Sequence, residues 1–422
     1  VFGIAFAVNW LPAWRKSRAT SEAPQTRLTF ADQATDFPEA PPAAACEIGH
    51  NQSHDFWFKN ENAQDLPVGV FSKTCQCTSV ELWLAKGRTD VPAAGERDEA
   101  ARQVAESATP TELKEKEAGA VVPAGAVGFV RLTWKGDRAG AKDLGADLWM
   151  AEKGAGPNQH FEIRTEFVGP VLAPAEAPID PIALEKLPRT VMFACWSMTR
   201  TDFPLDAGLL HSRLKEGSNP LVVGKPVKMT DAELAKLRTN PQFRRALAGY
   251  KVPITLARVS ADGTTPFDLG PFRQRVELKT KDGEPAVTVV SGTIRGDLAG
   301  AGETVAVQFG PFDRTLEVTR PFLVESGADV MRLELDRGTA DRPRTPDFLD
   351  VQFDAPETAG DRELWPLTVK WVPSSHAGGE FPRDEDGYRD CAVYVRPVYE
   401  KKDGPPPPCL RIPVRGTADT RQ

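Results

Sequence analysis

Cys75 and Cys77, with His50 and His54 ahead of them, are the grouping in this chain whose residue types could hold a metal. His-x-x-x-His and Cys-x-Cys together offer two nitrogens and two thiolates, the ligand set of a tetrahedral zinc or a soft copper site, and such a site needs all four heads within about 2.0–2.3 Å of the ion. Two cysteines separated by one residue on a strand point to the same face. That arrangement also suits structural thiols, a bridge, or thiol-exchange chemistry. The structural reading is preferred, with no resident cofactor; thiol-redox chemistry and zinc or copper binding are kept as alternatives. Other chemistry-bearing residues are scattered. His160, His211 and His376 stand apart, and the chain has neither a Gly-x-Ser-x-Gly elbow nor a Gly-rich phosphate loop before a helix. Asp384, Glu385 and Asp386 lack the ligand spacing and the closing Glu of a calcium loop. Trp365, Trp371 and Tyr388 would make a carbohydrate platform if exposed, but at strand spacing they are assigned to core. The chain is expected to be non-enzymatic.

The elements that carry the cysteine pair are strands. His54, Phe56, Phe58 and Asn60 alternate with Asp55, Trp57 and Lys59, the period of two of a strand. Glu61 to Asp65 turn the chain, and Leu66, Val68 and Val70 resume the alternation. The expectation is an antiparallel pair closed by Cys75-Gln76-Cys77-Thr78. This string, Phe-x-Phe-x-Asn leading through Leu-x-Val to Cys-x-Cys-Thr, resembles the signature of a bacterial family of immunoglobulin-like domains of unknown function, related to the ASH and Hydin-type sandwiches. Gln76 stands where that family has glycine. The resemblance spans roughly residues 27–172. It implies an immunoglobulin-like sandwich and an exported, periplasmic setting, and it implies no activity.

A chain of 422 residues is too long for one such sandwich, and about 100–200 residues per domain suggests two to four units. With 34 Gly, 37 Pro and few long apolar helical stripes, the class is mainly β: tandem immunoglobulin-like β-sandwiches with short helical insertions. A net charge of −7 argues against nucleic acid as partner, since phosphate binding needs a clustered basic face. Six cysteines do not make a disulfide scaffold. Cys391 and Cys409, flanking a hairpin expected from Tyr394 to Arg411, are the disulfide candidate. Cys46 and Cys195 are expected to be buried free thiols.

Residues 1–18 hold Phe2, Ile4, Phe6, Val8, Trp10, Leu11 and Trp14 ahead of Arg15-Lys16-Ser17-Arg18, and suit a membrane anchor or its remnant; a signal-peptide remnant and an apolar arm docked on a partner are the alternatives. Basic residues after a span favour the cytoplasmic side; the exported face is adopted on the family resemblance. A polar tether, 19–26, leads to the first sandwich, 27–172. Its charge-rich stretch 92–120 is expected to be a solvated helical insertion broken at Pro110. Pro170 to Pro181 should be a stiff linker. The second sandwich, 173–300, carries Thr190 to Phe193, helices at about 230–248 opened by the Thr230/Glu233 capping box, and alternations through Val252, Ile254 and Leu256, through Val276 and Leu278, and through Val287, Val289 and Ser291. The third, 301–422, opens at Val305, Val307 and Phe309. There Leu316 and Val318 are expected to pair with Val330 to Leu335. Leu367, Val369 and Trp371 form a further strand, and a proline-rich hairpin tip runs from Lys401 to Pro408. Gly169, Gly292 and Gly416 recur at about 123 residues, each expected just past a final apolar strand, as repeated units would be.

The expected function is a membrane-tethered scaffold or recognition protein, an accessory subunit of a larger membrane-associated complex. Its partners would be other membrane-associated proteins, and the membrane itself through the N-terminal segment. An adhesin or carbohydrate-binding module is the further alternative.

Overall fold

The structure is a computed structural model that describes residues 27–37, 45–75, 78–153, 157–210, 217–302, 305–339, 342–373, 379–381, 391–400 and 407–419. The N-terminal apolar segment, the tether, Cys77, His211, His376, the acidic loop, Tyr388 and most of the proline-rich tip lie outside the described residues. The chain is mainly β. Among the described residues, the first eleven strands are β1 (Thr29–Phe30), β2 (Ala34–Phe37), β3 (Cys46–Glu47), β4 (Asn51–Lys59), β5 (Leu66–Lys73), β6 (Thr78–Leu84), β7 (Thr111–Glu112), β8 (Ala120–Val122), β9 (Val127–Lys135), β10 (Gly140–Met150) and β11 (Gln159–Val168). One sheet runs β1-β4-β9-β6-β7, and the other runs β2-β11-β10-β5-β8 with β3 parallel to β11.

The next nine are β12 (Glu176–Pro178), β13 (Ile182–Ala183), β14 (Arg189–Ser197), β15 (Leu205–Leu209), β16 (Leu221–Val223), β17 (Val227–Lys228), β18 (Ala248–Leu256), β19 (Gly270–Thr280) and β20 (Ala286–Arg295). They form β14-β18-β16, with β17 also on β18, and β12-β20-β19-β15, with β13 also on β20. The last twelve are β21 (Leu298–Gly300), β22 (Val307–Asp313), β23 (Thr319–Gly327), β24 (Val330–Leu335), β25 (Gly338–Thr339), β26 (Arg342–Pro343), β27 (Leu349–Phe353), β28 (Glu357–Ala359), β29 (Arg362–Trp371), β30 (Gly379–Glu380), β31 (Ala392–Tyr399) and β32 (Leu410–Asp419). These give β21-β23-β29-β27 and β22-β32-β31-β24, with β28 on β29, β30 on β32, and a separate β25-β26 hairpin.

One plan recurs in each set. The final strand (β11, β20, β32) lies beside its predecessor and takes a short parallel strand from the start of the set (β3, β12, β22), while the first long strand (β4, β14, β23) sits in the opposite sheet. This is the immunoglobulin-like arrangement of two facing sheets. By compactness the chain divides into two units, one made of Val1–Thr35, Asn51–Trp134 and Asp143–Arg164, the other of Asp36–His50, Lys135–Lys142 and Thr165–Gln422.

In the first unit Phe56 and Phe58 point inward from β4. Phe161 of β11 stacks on Phe56 at 4.4 Å, and Phe30 meets Phe58 and Phe161 edge-on. Trp57, on the other face, is also fully buried. The reason is helix α1 (Arg97–Ser107), which lays Ala100, Ala101 and Val104 against Trp57, Trp83 and Phe129. The stretch 92–120 is thus a correction in two respects. Its helix stops at Ser107 and then gives way to short strands, and one face of the helix is core. Small alanines allow close approach to a tryptophan surface, and burial of apolar area, at about 25 cal/mol per Å², outweighs the charge of the outer face.

The expected β4–β5 hairpin is a second correction. β4 pairs with β1 and β9, whereas β5 pairs with β10 and β8. The chain crosses between sheets, so both strands can bury their apolar faces in one core. The same crossing overturns the expected pairing of Leu316 and Val318 with Val330 to Leu335: β23 pairs with β29, β24 with β31, and Leu316 is exposed.

In the second unit the segment expected as a linker contains β12, which pairs parallel with β20 from Glu176 opposite Val289 to Pro178 opposite Ser291. It lies at a sheet edge, where prolines are tolerated because no ladder donor is needed on the open side. β20 forms as a strand, but its inward residues are Thr288, Val290 and Ile294, and Val287 is 42% exposed. Thr288 is tolerated inside because its hydroxyl donates to Pro174 O at 2.7 Å. The Thr230/Glu233 capping box forms, but helix α2 (Asp231–Leu237) is short; after a 3₁₀ turn at Pro241–Phe243 the chain is already β18 at Ala248. Leu367, Val369 and Trp371 are buried, and Trp371 stacks on Phe381 with Phe312 edge-on.

Candidate functional site

The cysteine corner follows β5. Lys73 Nζ donates to Thr78 O at 2.8 Å, Gly145 N donates to Thr74 Oγ1 at 2.7 Å, and Thr78 N donates to Cys75 O at 3.2 Å. Cys75 is half-buried and disulfide-bonded, so it has no thiolate to offer a metal. His50 faces the Glu47 carboxylate at 3.2 Å. That carboxylate also accepts from Thr199 Oγ1 and from the Arg200 guanidinium. Burial pushes the Glu47 pKa up, but the Arg200 and Thr199 bonds outweigh it and leave the carboxyl below its ordinary value. His54, on β4, lies edge-on to Phe56 at 4.7 Å. Among the described residues, no three His, Cys, Asp or Glu side chains are grouped to hold a metal.

Cys391 and Cys409 are both buried thiols outside any disulfide, which corrects the expected bridge. β31 and β32 pair with Tyr394 opposite Arg411, as the hairpin predicts, so Cys391 lies by Val414 at one end and Cys409 lies one residue beyond the Val395–Leu410 pair at the other. The offset along the strands is about 15 Å, against about 4.4–6.8 Å between the Cα atoms of a disulfide. Burial holds the Cys409 thiol well above its ordinary pKa, with Asp268 and Asp336 adding to it, and burial pushes Cys195 up to about 12. Cys46 Sγ lies 3.1 Å from Thr165 Oγ1. Such thiols are poor nucleophiles. Iodoacetamide is therefore expected to leave Cys46, Cys195, Cys391 and Cys409 unmodified in the native protein and to modify these four after unfolding without reductant, as counted by intact mass.

A buried charge cluster was not anticipated from the sequence. Arg344, 8% exposed, lies 3.1 Å from Asp268 Oδ1 and 3.1 Å from Asp336 Oδ2, with its guanidinium 5.0 Å from the Tyr394 ring centre. Cys409 Sγ donates to Asp336 Oδ2 at 3.3 Å. Burial raises the Asp336 pKa, but the Gly338 N–H and Arg344 outweigh it and hold the carboxyl below its usual range. The cluster satisfies its charges internally and reads as structural. Trp365 and Trp371 are likewise buried, 4% and 0% exposed, and so offer no sugar platform.

An open sheet edge is the feature best suited to recognition. The first long strand of a set is covered by β1 in the first and by β21 in the third. In the second set, among the described residues, β14 is met on its outer side by a single bridge, where Leu172 N donates to Trp196 O and Trp196 N to Leu172 O. Arg189 to Ala194 are left as an uncovered edge with Met192 56% exposed. Beside it runs a groove of about 150 Å³ whose wall is mostly apolar, with Ala177, Val191, Phe193 and Val290, and carries Asp180 and Arg189 as its charged residues. Edges left open in natural proteins usually carry charge, proline or a bulge. Here Arg189 is the only such device, and that absence was the one sequence signal for this site.

The fold is that of a mainly β protein built from immunoglobulin-like β-sandwiches, with the β14 edge left open among the described residues. No family model matches the chain, and no curated protein matches it. Similar solved structures include the ASH / PapD-like domain of human CEP192, with 10% identity over 38% of this chain and 97% of that one at a TM-score of 0.21. An I-band fragment of titin has 6% identity over 93% and 98% at 0.21, and mouse clustered PcdhgC3 EC1-3 has 8% identity over 68% and 83% at 0.20. At these scores they carry no argument about function.

Proposed function

We propose that the protein is a non-enzymatic, membrane-tethered recognition scaffold, an accessory subunit of a larger membrane-associated complex, which binds extended segments of partner proteins by strand addition. The open edge of β14 carries this reading. An added strand gains main-chain hydrogen bonds from the edge, and its alternate side chains enter the mostly apolar groove beside Val191 and Phe193. In this reading the segment from Phe2 to Trp14 supplies the tether and holds the sandwiches at the exported face. Among the described residues no helix is long and apolar enough to cross a membrane.

The test is purification from gently solubilised membranes of the wild type and of Met192→Lys. Met192 is exposed, so the substitution should change stability by less than about 0.5 kcal/mol. A protein that co-purifies with the wild type and is lost with Met192→Lys is the expected result. Recovery of the isolated chain alone, or equal recovery of the partner with both proteins, would defeat the reading.

A further inference from the structure

We propose that a second cleft, lying between the start of β19 and the β22–β32 edge, is a binding site for a small amphiphilic anion: a carboxylate or phosphate head on a short apolar body. The inference is independent of the scaffold reading. The cleft holds about 580 Å³, within the roughly 300–1,000 Å³ of small-molecule sites. Its charged lining among the described residues consists of Arg273, Arg411 and Arg415, with no carboxylate among them, in a chain whose net charge is −7.

The three differ in how they are held. Arg411 is 5% exposed and its Nη1 donates to Pro271 O at 2.6 Å, so its charge is fixed in the wall. Arg415 stands opposite Gln308 where β32 meets β22, is exposed, and makes no hydrogen bond or ion pair among the described residues. Arg273 comes from β19, and its Nη2 is 3.7 Å from Glu176 Oε1, a distance too long for a hydrogen bond; Glu176 Oε1 instead accepts from Ser291 at 2.6 Å. Two guanidiniums are thus available to a ligand beside a third that is already positioned. A guanidinium presents paired donors that match the oxygens of a carboxylate or phosphate. The remaining wall includes Pro271, Pro311 and Pro413, which have no backbone N–H and present rigid apolar surface, so the space beyond the charges suits hydrocarbon.

Isothermal titration of the full chain with octanoate, octyl phosphate and octanol tests this. Octanoate or octyl phosphate is expected to bind saturably and octanol not to bind; the tighter of the two anions identifies the head group. Arg415→Ala and Arg273→Ala should each weaken binding by about tenfold or more, since a hydrogen bond to a charged group contributes about 1.5–3 kcal/mol. Arg295→Ala, exposed and outside the cleft, should bind as the wild type. Both cleft variants alter exposed side chains and should melt with the wild type. Absence of heat with both anions, equal binding of octanol, or unchanged affinity in Arg273→Ala and Arg415→Ala would overturn the proposal.

Discussion

Replacing Arg344 with alanine is expected to lower the unfolding free energy by about 3–5 kcal/mol at neutral pH, the cost of breaking a buried charge network by removing one partner. Its side chain bridges Asp268, just before β19, and Asp336, just after β24, so the loss is felt where the second and third sheet pairs are tied together. Those carboxylates are 13% and 20% exposed and cannot be rehydrated in place. Lysine at 344 should recover only part of the loss, because one ammonium is not a planar fork able to serve two carboxylates at once. The pH dependence identifies the cause. The folded pKa of Asp336 is lowered, so its favourable contribution is present above the ordinary carboxylate value and is lost as pH falls through the folded one. The deficit of Arg344→Ala should therefore be largest at neutral pH and shrink as the carboxyls protonate. Urea unfolding of both proteins at about pH 7 and about pH 4 measures this. A deficit that is constant across that range would show that lost packing over Tyr394, and not charge, is responsible.

How much of this was legible in the sequence depended on whether one strand sufficed to fix the feature. Alternation located β4, β5, β9, β11, β18, β19 and β29, because each buries one face and the period of two survives. It could not say which strands were neighbours. The β4–β5 hairpin and the Leu316/Val318 pairing were both misread as local, since polar turn residues are equally suited to a connection that crosses between sheets. Periodicity also misled wherever a strand was covered twice or a polar residue found an internal acceptor. Trp57 is buried because α1 lies over it, and Thr288 is inside because Pro174 O accepts its hydroxyl hydrogen bond. The functional surfaces were the least legible. The uncovered edge of β14 exists only in comparison with the strands that cover β4 and β23, and the guanidiniums of the anion cleft come from β19 and β32, which are distant in sequence. Chemistry read from spacing fared unevenly at the cysteines. Hairpin register separates Cys391 from Cys409, whereas the disulfide at Cys75 falls within the preferred structural reading and leaves no thiolate there for a metal.

Asn60 shows why one residue of the opening motif is an amide, and its removal should be the costliest change in the first unit apart from an aromatic truncation. It is fully buried at the point where β4 ends and the chain crosses to β5. Nδ2 donates to Val122 O at 3.0 Å and Pro123 O at 2.9 Å and lies 3.2 Å from Gln64 O, while Oδ1 accepts from Asn62 N at 3.1 Å and Asn62 Nδ2 at 2.7 Å. One side chain thereby closes the turn after β4 and fastens it to the approach to β9. Asn60→Ala strands these carbonyls without donors, at about 1–3 kcal/mol for each buried group left unsatisfied, so a loss of about 3 kcal/mol is expected in denaturant unfolding. Asn60→Asp keeps the shape but puts a carboxylate against carbonyl oxygens, and should be worse than alanine at neutral pH. In that variant the folded pKa is raised, because the charged form is repelled and buried, so stability should return as pH falls and the carboxyl gains a proton to donate. If Asn60→Asp and Asn60→Ala were equally stable from about pH 4 to about pH 7, the corner would be held by backbone alone, since Asn60 N already donates to Ala126 O and Gly125 N to Asn60 O.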